Sequence, residues 1–581
     1  MSSHYEGQTE SPMASSLRHE IQRTTEYTVE ATYRSFDDPR PTTTCESQAK
    51  PAFKPSGRFW IIISVLCMCV LVSSLDSLII TTALPRIADS INGRSQYVWI
   101  ANSFVLASTV VQPAYAQLSN IFGRRNPMLT ALALFCLGSG IAGGAKNVAM
   151  LIAGRTVQGL GSAGIFVLTE LIVCDMVPLR ERAKYMGIVL SSGSIGTTVG
   201  PIVGGALAEA DWRWCFYFNI ILCFPALVAM AIFLRLKRER EPNWKSALAR
   251  VDFVGALIFI PSTLSLLLGL VMGGVVHLWS SWRTIVPIVL GILGVAVFLV
   301  HQGSPMCREP SIPPRLFSNR TSAVGFFLAF TSCLLLNWVS FFLPFYFQAV
   351  KNISPLLSGV YVLPFGLFVI PAAMAAGAVL SKTGKYKPLH WLGFGFVALG
   401  CGLFSILDAH SNTASWVFFQ IFVGIGIGPI ITCVLPVICA PFGEEDVAVA
   451  NGTFAFLRSF GFVWGITLPS IIFNARFDHY APRIHDTRLR SQLMGGAAYG
   501  FASSGLVSSL KGETHSQVIS AYTDALRNVW HAAVGFALLS FVAVFIEKHL
   551  ELRTELDTKF GLEEKSKLGS STEDSEASEK F

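Results

Sequence analysis

The sequence has little charge for its length. Only 14% of the 581 residues are Asp, Glu, Lys or Arg, whereas 52% are hydrophobic and the mean hydropathy is +0.52. A soluble domain usually carries about 25% charged residues, because its surface must face water. The deficit excludes a soluble fold and indicates that most of the surface faces lipid. The net charge of +7 is spread over loops and tails without a basic patch, so nucleic acid is not an expected partner.

Patterns of metal, cofactor and nucleotide sites are also lacking. Most of the twelve cysteines lie inside apolar runs, where a thiol behaves as a small hydrophobe, and no C-x-x-C pair offers a metal site. Lys385 follows Gly384, but Tyr386 stands where a P-loop needs Ser or Thr. We therefore expect no cofactor, no metal site and no ATP-driven or enzymatic chemistry.

One glycine pattern matches a dinucleotide fingerprint. Gly159-Leu-Gly161-Ser-Ala-Gly164 fits G-x-G-x-x-G, but it lies inside an apolar segment with no strand before it. Small residues at such spacing are typical of close contacts between membrane helices. We interpret this segment as a helix-packing surface.

Long apolar runs dominate what is present, and each has about the 20 residues that cross a bilayer as a helix. They predict an all-α membrane protein with about 14 transmembrane helices, placed near 59–83, 98–119, 127–145, 148–174, 185–208, 213–235, 252–273, 284–301, 322–346, 356–380, 388–406, 415–437, 450–474 and 527–547. Residues 1–58 and 548–581 are polar and predict disordered tails. We expect no secretory signal peptide, and the first run is itself the expected insertion signal.

Basic residues in the loops predict the orientation. With the N-terminus inside, the loops assigned to the cytosol contain many Arg and Lys residues, including six between 235 and 250. The short outer loops contain few, which fits the positive-inside rule. An even number of spans leaves both tails in the cytosol, and residues 475–526 then form a long outer loop.

The fifth apolar run contains the most specific motif, Gly196-Thr-Thr-Val-Gly200-Pro201-Ile-Val-Gly204-Gly205. Gly196, Gly200 and Gly204 recur every four residues, so one face of the helix has no side chains and a neighbouring helix can approach closely. Pro201 lacks an N–H and bends the helix there. The glycine repeat by itself fits a static packing groove equally well.

At this motif the chain resembles the major facilitator superfamily, and within it the fungal fourteen-span drug:proton antiporters. The segment from Gly196 to Gly205 matches that family's antiporter motif. The segment from Leu151 to Gly159 matches its fourth-helix motif, and 75–85 resembles its first-helix motif with Asp76 in the acidic position. These motifs occur in the family's order along the chain.

The loop after the second run also resembles a family motif. Gly123, Arg124 and Arg125 are in place, but Asn120 stands where the family usually has Asp, and Ala116 where it has Gly. That departure argues against a gating salt bridge from position 120, whereas an Asn can still hydrogen-bond within the loop.

The resemblance implies an architecture. Two six-helix bundles comprise 59–235 and 322–547, and 236–321 supplies two additional helices and a Pro-rich cytosolic linker between them. Substrate binds near the midplane between the bundles, and rocking gives alternating access. The implied form is a monomer in the lipid bilayer that exchanges a small molecule for protons.

Charged residues inside the apolar runs are functional candidates, because a charge at a helix centre costs about 2.5–3.5 kcal/mol on insertion scales. Asp76 and Arg155 lie at matching depth in the first and fourth runs, and we predict that they form a proton-coupled pair. Glu170 either has a functional role or caps a charged cluster at the inner end of its run. Arg458 either has such a role or extends to the inner surface.

We therefore predict a proton-coupled exporter of drugs, toxins or secondary metabolites, in the cell membrane or alternatively the vacuolar membrane. For an aromatic cavity wall we select Trp338, Tyr346, Tyr361 and Trp464. Asn352 begins an Asn-Ile-Ser sequon in an outer loop and is a predicted glycosylation site. The alternatives are a transporter of a polar metabolite, such as an iron chelate or basic amino acid, and a transporter-like membrane sensor.

Overall fold

The computed structural model describes residues 55–552 except 92–96, 236–248, 274–276, 306, 308, 496–497, 499–509 and 511. Within these residues all regular secondary structure is helical, apart from an isolated bridge between Gly273 and His277. Helices satisfy their own backbone hydrogen bonds, which is what a lipid-embedded chain needs. The predicted all-α class is confirmed, whereas nearly all of both predicted tails lies outside the described residues.

The described helices form three groups along the chain. The first group is α1 Gly57–Ser90, α2 Tyr97–Val110, α3 Gln112–Phe122, α4 Arg125–Gly143, α5 Val148–Met176, α6 Leu179–Asp211 and α7 Trp214–Phe233. The second is α8 Phe253–Met272 and α9 Trp282–Gln302. The third is α10 Arg320–Ala349, α11 Pro355–Tyr361, α12 Leu363–Thr383, α13 Lys387–Phe404, α14 Thr413–Cys439, α15 Glu444–Tyr480, α16 Thr487–Leu493 and α17 Gly512–Ala543. Short 3-10 turns occupy Pro314–Phe317, Ala481–Arg483 and Val544–Ile546.

Eleven helices in the described part of the chain are long and apolar enough to cross a membrane. Three of the predicted spans are not among them. The second predicted span is divided at Val111 into α2 with 14 residues and α3 with 11. The fifth, α6, has 33 residues but begins with a charged turn and is rich in Gly and Ser. The eleventh, α13, has 18 residues and begins with Lys387 and His390, which lower its hydropathy.

The last two long helices extend further than predicted. α15 continues to Tyr480 and α17 begins at Gly512, so both enter the region 475–526 that was predicted as a loop. Phe477 of α15 packs on Tyr522 of α17 with ring centroids 4.9 Å apart. Such contacts maintain the helix pair beyond the apolar runs, where hydropathy alone gives no signal.

Helices α1–α7 pack mainly among themselves and are called here the N-terminal half, and α10–α17 likewise form the C-terminal half. Within the first, α1 lies along α6 and α4 along α5. Within the second, α14 packs against α12 and α13. The halves meet between α6 and α12 and between α3 and α15. α8 pairs with α9 and touches both halves, through α2 and α15.

Candidate functional site

A fully buried ion pair lies in the N-terminal half. Arg155 Nη1 of α5 donates to Asp76 Oδ2 of α1 at 2.6 Å, and neither side chain is exposed. The structure therefore brings together the two residues that the sequence selected as a pair. Two charges away from water are stable only when further hydrogen bonds satisfy their remaining atoms.

Two buried amides supply such hydrogen bonds. Gln158 Nε2 donates to Asp76 Oδ1 at 2.9 Å, and Asn219 Nδ2 of α7 donates to the same oxygen at 2.5 Å. Gln158 Oε1 in turn accepts from Arg155 Nη1 at 2.9 Å. Sequence reasoning missed both amides, although an Asn or Gln inside an apolar run is itself a signal. Asp76 thus accepts from donors on two other helices, α5 and α7.

The pair also has unused hydrogen-bonding capacity. Arg155 Nε and Nη2 have no hydrogen-bond partner, and neither has Asn219 Oδ1. The guanidinium lies over the Phe104 ring at 4.4 Å from its centroid, so part of its charge is stabilised by a π face. The acceptor Asn219 Oδ1 is therefore available to a protonated Asp76, and the donors Arg155 Nε and Nη2 are available to a polar group of a ligand.

The glycines of the antiporter motif set the distance between α6 and α1. A Cβ at Gly196 would lie 2.4 Å from the carbonyl oxygen of Leu71, and one at Gly200 would lie 2.9 Å from that of Leu75. Leu75 directly precedes Asp76, so the glycine face holds the segment of α1 that carries the carboxylate. Gly204 is also buried, beside the Cys215 thiol. Pro201 and Gly205 belong to α6 but lie outside the residues whose surroundings are described.

The loop motif forms a second buried ion pair. Arg124 Nε donates to Asp175 Oδ2 of α5 at 2.7 Å, and Arg124 Nη1 donates to Asn120 Oδ1 at 2.8 Å. Gly123 adopts φ 77°, a left-handed conformation that favours glycine. Arg125 is exposed and donates to a carbonyl near the end of α7 at 2.6 Å. Asn120 therefore bonds within the loop as expected, and the salt bridge comes from Asp175, which the sequence had not singled out.

Three of the aromatic side chains selected for a cavity lie inside the C-terminal half. Trp338 is fully buried and packs against α17. Tyr346 is buried and donates from its hydroxyl to the carbonyl of Asp408 at 2.7 Å. Tyr361 stacks on Trp416 with ring centroids 4.9 Å apart. The structure does not bring these residues together with Asp76.

The remaining two predicted positions, Trp464 and Asn352, have different surroundings. Trp464 is partly buried and packs against a cluster formed by α2, α8 and α15. Asn352 is exposed between α10 and α11, where a sequon is accessible. Next to it Lys351 donates from Nζ to the carbonyl of Ser411 at 2.5 Å, and its partial burial lowers the pKa of this lysine.

The glycine pattern at 159–164 packs helices. A Cβ at Gly159 would lie 2.4 Å from the carbonyl oxygen of Phe104, and one at Gly161 would lie 2.4 Å from the backbone nitrogen of Phe135. The face therefore serves contact with α2 and α4, which confirms the interpretation made from the sequence.

The buried Asp76–Arg155 pair joins two helices of the N-terminal half, and the sequence motifs around it occur in the order typical of one superfamily. The family model of the Major Facilitator Superfamily matches residues 66–466. The chain belongs to the major facilitator superfamily. Members of this superfamily are transporters rather than enzymes, and the helical, membrane-embedded fold agrees with that class.

Similar proteins of this superfamily are fungal transporters, several of which are named for efflux. The MFS efflux transporter aclA of Aspergillus oryzae is 50% identical over 530 residues, which cover 91% of this chain and 96% of that protein. The MFS-type transporter gkaD of Penicillium citrinum is 45% identical, with 91% of each chain covered. The efflux pump FUS6 of Gibberella moniliformis is 43% identical, with 92% of this chain and 96% of that protein covered. These relatives identify a multi-pass membrane efflux transporter.

Among solved structures, the human organic anion transporter MFSD10 has a similar fold. Its TM-score is 0.54 at 16% sequence identity, and the match covers 84% of this chain and 99% of that one. At this identity the likeness concerns the fold alone.

Proposed function

We propose that this protein is a proton-coupled exporter of amphipathic small molecules, such as toxins or secondary metabolites. The observation that carries the proposal is the fully buried Asp76–Arg155 pair. One proton moving down about 100 mV gains about 2.3 kcal/mol, and one pH unit adds about 1.4 kcal/mol. Together these supply enough free energy for a roughly several-hundred-fold gradient of a neutral substrate.

The geometry supports a route from proton binding to movement. When Asp76 is charged, it accepts hydrogen bonds from Arg155, Gln158 and Asn219. A proton on Asp76 cancels its charge, so Arg155 loses its ionic partner and keeps only neutral acceptors, among them Gln158. The adjacent part of α1 is held to α6 by the glycine face, and α6 contacts α12 of the other half. A shift of α1 thus acts on the contact between the halves.

The proposal includes fourteen spans, arranged as two six-helix bundles with α8 and α9 as additional helices. α2, Val111 and α3 together extend about 39 Å at 1.5 Å per residue, which exceeds the roughly 30 Å hydrocarbon core. α6 is long enough to span, and its small residues suit contact with other helices more than with lipid. α13 is then the eleventh span.

The substrate class and membrane are part of the same proposal. Relatives that cover nearly the whole chain are named efflux transporters or efflux pumps of filamentous fungi. We extend that role to this chain, with multidrug resistance or toxin export as its outcome. The cell membrane is the proposed location, with glycosylation at the exposed Asn352 on the outer side.

Asp76→Asn tests the coupling role, because Asn keeps the size and a hydrogen-bonding group but does not titrate. In a pump-deficient yeast, the variant is expected to lose uphill, uncoupler-sensitive efflux while it still binds substrate. Asp211→Asn, the same change at an exposed residue at the end of α6, is the matched control and keeps parental efflux. Uphill pumping by Asp76→Asn at the parental rate contradicts the proposal.

A further inference from the structure

An ion pair joins the two halves of the transporter. Arg458 Nη1 of α15 donates to Glu170 Oε1 of α5. Glu170 is almost fully buried, and the Arg458 side chain is 13% exposed. Arg458 therefore does not extend to the surface, and it is the direct ionic partner of Glu170. Because α5 and α15 belong to different halves, the pair spans the boundary that alternating access must open.

Other contacts close the same boundary. Asn451 Nδ2 donates to the carbonyl of Val167 at 3.0 Å, one turn from Glu170. Gln112 Nε2 donates to Ser459 Oγ at 2.9 Å, next to Arg458. We call this boundary the inner seam, defined by Gln112, Val167 and Glu170 on the N-terminal half and by Asn451, Arg458 and Ser459 on the C-terminal half. It is closed in this structure.

The inner seam differs in one respect from the Asp76–Arg155 pair. Both members of that pair lie in the N-terminal half, so the bond survives a rigid rocking of the halves. The Glu170–Arg458 bond cannot survive the same movement, because its members separate. Pulling a buried carboxylate from a buried guanidinium leaves two uncompensated charges until water enters, which opposes the start of opening. Neutralising one charge beforehand removes that obstacle.

Glu170 has a place for a proton. Its second oxygen, Oε2, is buried and has no hydrogen-bond partner. The charged and titratable groups that face this region are Arg458 of α15, the thiols of Cys333 on α10 and Cys439 on α14, Cys174 and Asp175 on α5 itself, and Arg182 of α6. Asp175 is already paired with Arg124, so Arg458 is the cation that Glu170 engages directly.

We propose that Glu170 is a second proton-binding residue and that its protonation unlocks the inner seam. The proton binds at the carboxylate, the negative charge is lost, and Arg458 keeps its charge without an ionic partner. The halves then separate and water reaches the guanidinium. The proposal rests on proton-coupled export and extends it, because it assigns the release of the cytosolic closure to a residue outside the Asp76 pair. Lower pH is expected to favour the open seam.

The test measures access to the inner seam directly. Ser459→Cys places a thiol of nearly the same size at the seam, and Lys385→Cys supplies an exposed reference thiol in the same protein. Purified protein is treated with a maleimide, and both peptides are quantified by mass spectrometry as a ratio. We expect the ratio of labelling rates to rise several-fold between pH 7.5 and pH 5.5. Adding Glu170→Gln should give the high ratio already at pH 7.5, with no further rise at pH 5.5.

Two further variants complete the test. Arg458→Gln breaks the pair without a proton and should give a high ratio at both pH values. Glu181→Gln, a carboxylate change at the start of α6 that does not involve any residue of the inner seam, should behave as the parent. A parental ratio that does not change with pH overturns the proposal even if Glu170→Gln fails to fold. The proposal is also overturned if a folded Glu170→Gln protein shows the same labelling ratio as the parent at pH 7.5.

The labelling requires neither substrate nor a proton gradient. Its outcome is therefore independent of the efflux measurement on Asp76→Asn. Loss of coupling at Asp76 with a pH-independent seam disproves the role of Glu170 alone. If labelling at the seam depends on pH but efflux is insensitive to uncouplers, proton-driven export is disproved and the proton-sensitive closure is supported.

Discussion

At the scale of single residues, the buried carboxylate of Asp76 depends on the shape of its partner as well as on its charge. Arg155 donates to both Asp76 and Gln158 from one nitrogen while its plane lies over Phe104. A lysine has a point charge on a flexible stem and cannot reproduce this planar arrangement. The site therefore uses the guanidinium geometry, and the amide of Asn219 completes the coordination of Asp76.

Asn219→Ala tests the amide that the sequence did not single out. It removes a hydrogen bond to a charged group, a contribution of about 1.5–3 kcal/mol. We expect a lower melting temperature in detergent and slower efflux with altered pH dependence, since one donor to Asp76 is lost. Asn528→Ala, which removes an amide on α17 far along the chain from this site, is the control. Unchanged pH dependence in Asn219→Ala would show that the amide only packs.

At the scale of secondary-structure elements, α6 shows that a helix with low hydropathy can still make close contacts with another membrane helix. Its Gly and Ser residues give it a low hydropathy, yet the same residues let α1 approach until backbone atoms are in contact. A membrane helix buried by protein needs less apolar surface than one that faces lipid. The element that looks least like a span is therefore the one that carries the antiporter motif.

Substitutions along the glycine face are expected to have graded effects. Gly196→Ala forces a methyl group against the Leu71 backbone at 2.4 Å, whereas Gly200→Ala meets Leu75 at 2.9 Å. Overpacking of this kind costs about 1–3 kcal/mol, and we expect the larger loss of thermal stability and efflux for Gly196→Ala. Gly535→Ala on α17 has no neighbour within 4 Å and should be neutral or slightly stabilising. Equal effects of all three changes would contradict a close-contact role for the motif.

At the scale of the whole molecule, the additional helix α8 lies against both halves. Leu266 and Leu270 of α8 belong to one apolar cluster with Leu106 and Val110 of α2 and Val463 of α15. Phe259 of α8 also stacks edge-on against a ring of α15, with centroids 5.0 Å apart. α8 is therefore packed against the transporter halves, and α9 pairs with it.

Surface labelling tests whether α13, whose hydropathy is low, spans the membrane. Lys385, His410 and His485 are all exposed. If α13 spans the membrane, cysteines at 385 and 410 should label from opposite sides. If α14 and α15 both span, cysteines at 410 and 485 should label from the same side, the outside. Labelling of 385 and 410 from one side, in cells and in inverted vesicles, would remove α13 from the spans.

Much of this protein was determined by the sequence alone. Apolar runs of spanning length set the helical membrane class, because a chain in hydrocarbon must satisfy its own backbone hydrogen bonds. The motif order identified the superfamily, and the matching depths of Asp76 and Arg155 predicted a pair that the structure places in contact. These inferences succeeded because they depend on composition, spacing and depth, which are properties of a linear chain.

Only the tertiary structure decided which side chains meet between distant helices. Gln158 and Asn219 around Asp76, Asp175 as the partner of Arg124, and the Glu170–Arg458 pair are all contacts across long stretches of sequence. Tertiary packing also assigned Trp338, Tyr346 and Tyr361 to the interior of one half. Hydropathy reports how apolar a segment is, but the rotation of each helix about its axis depends on its neighbours, and that rotation selects the partners.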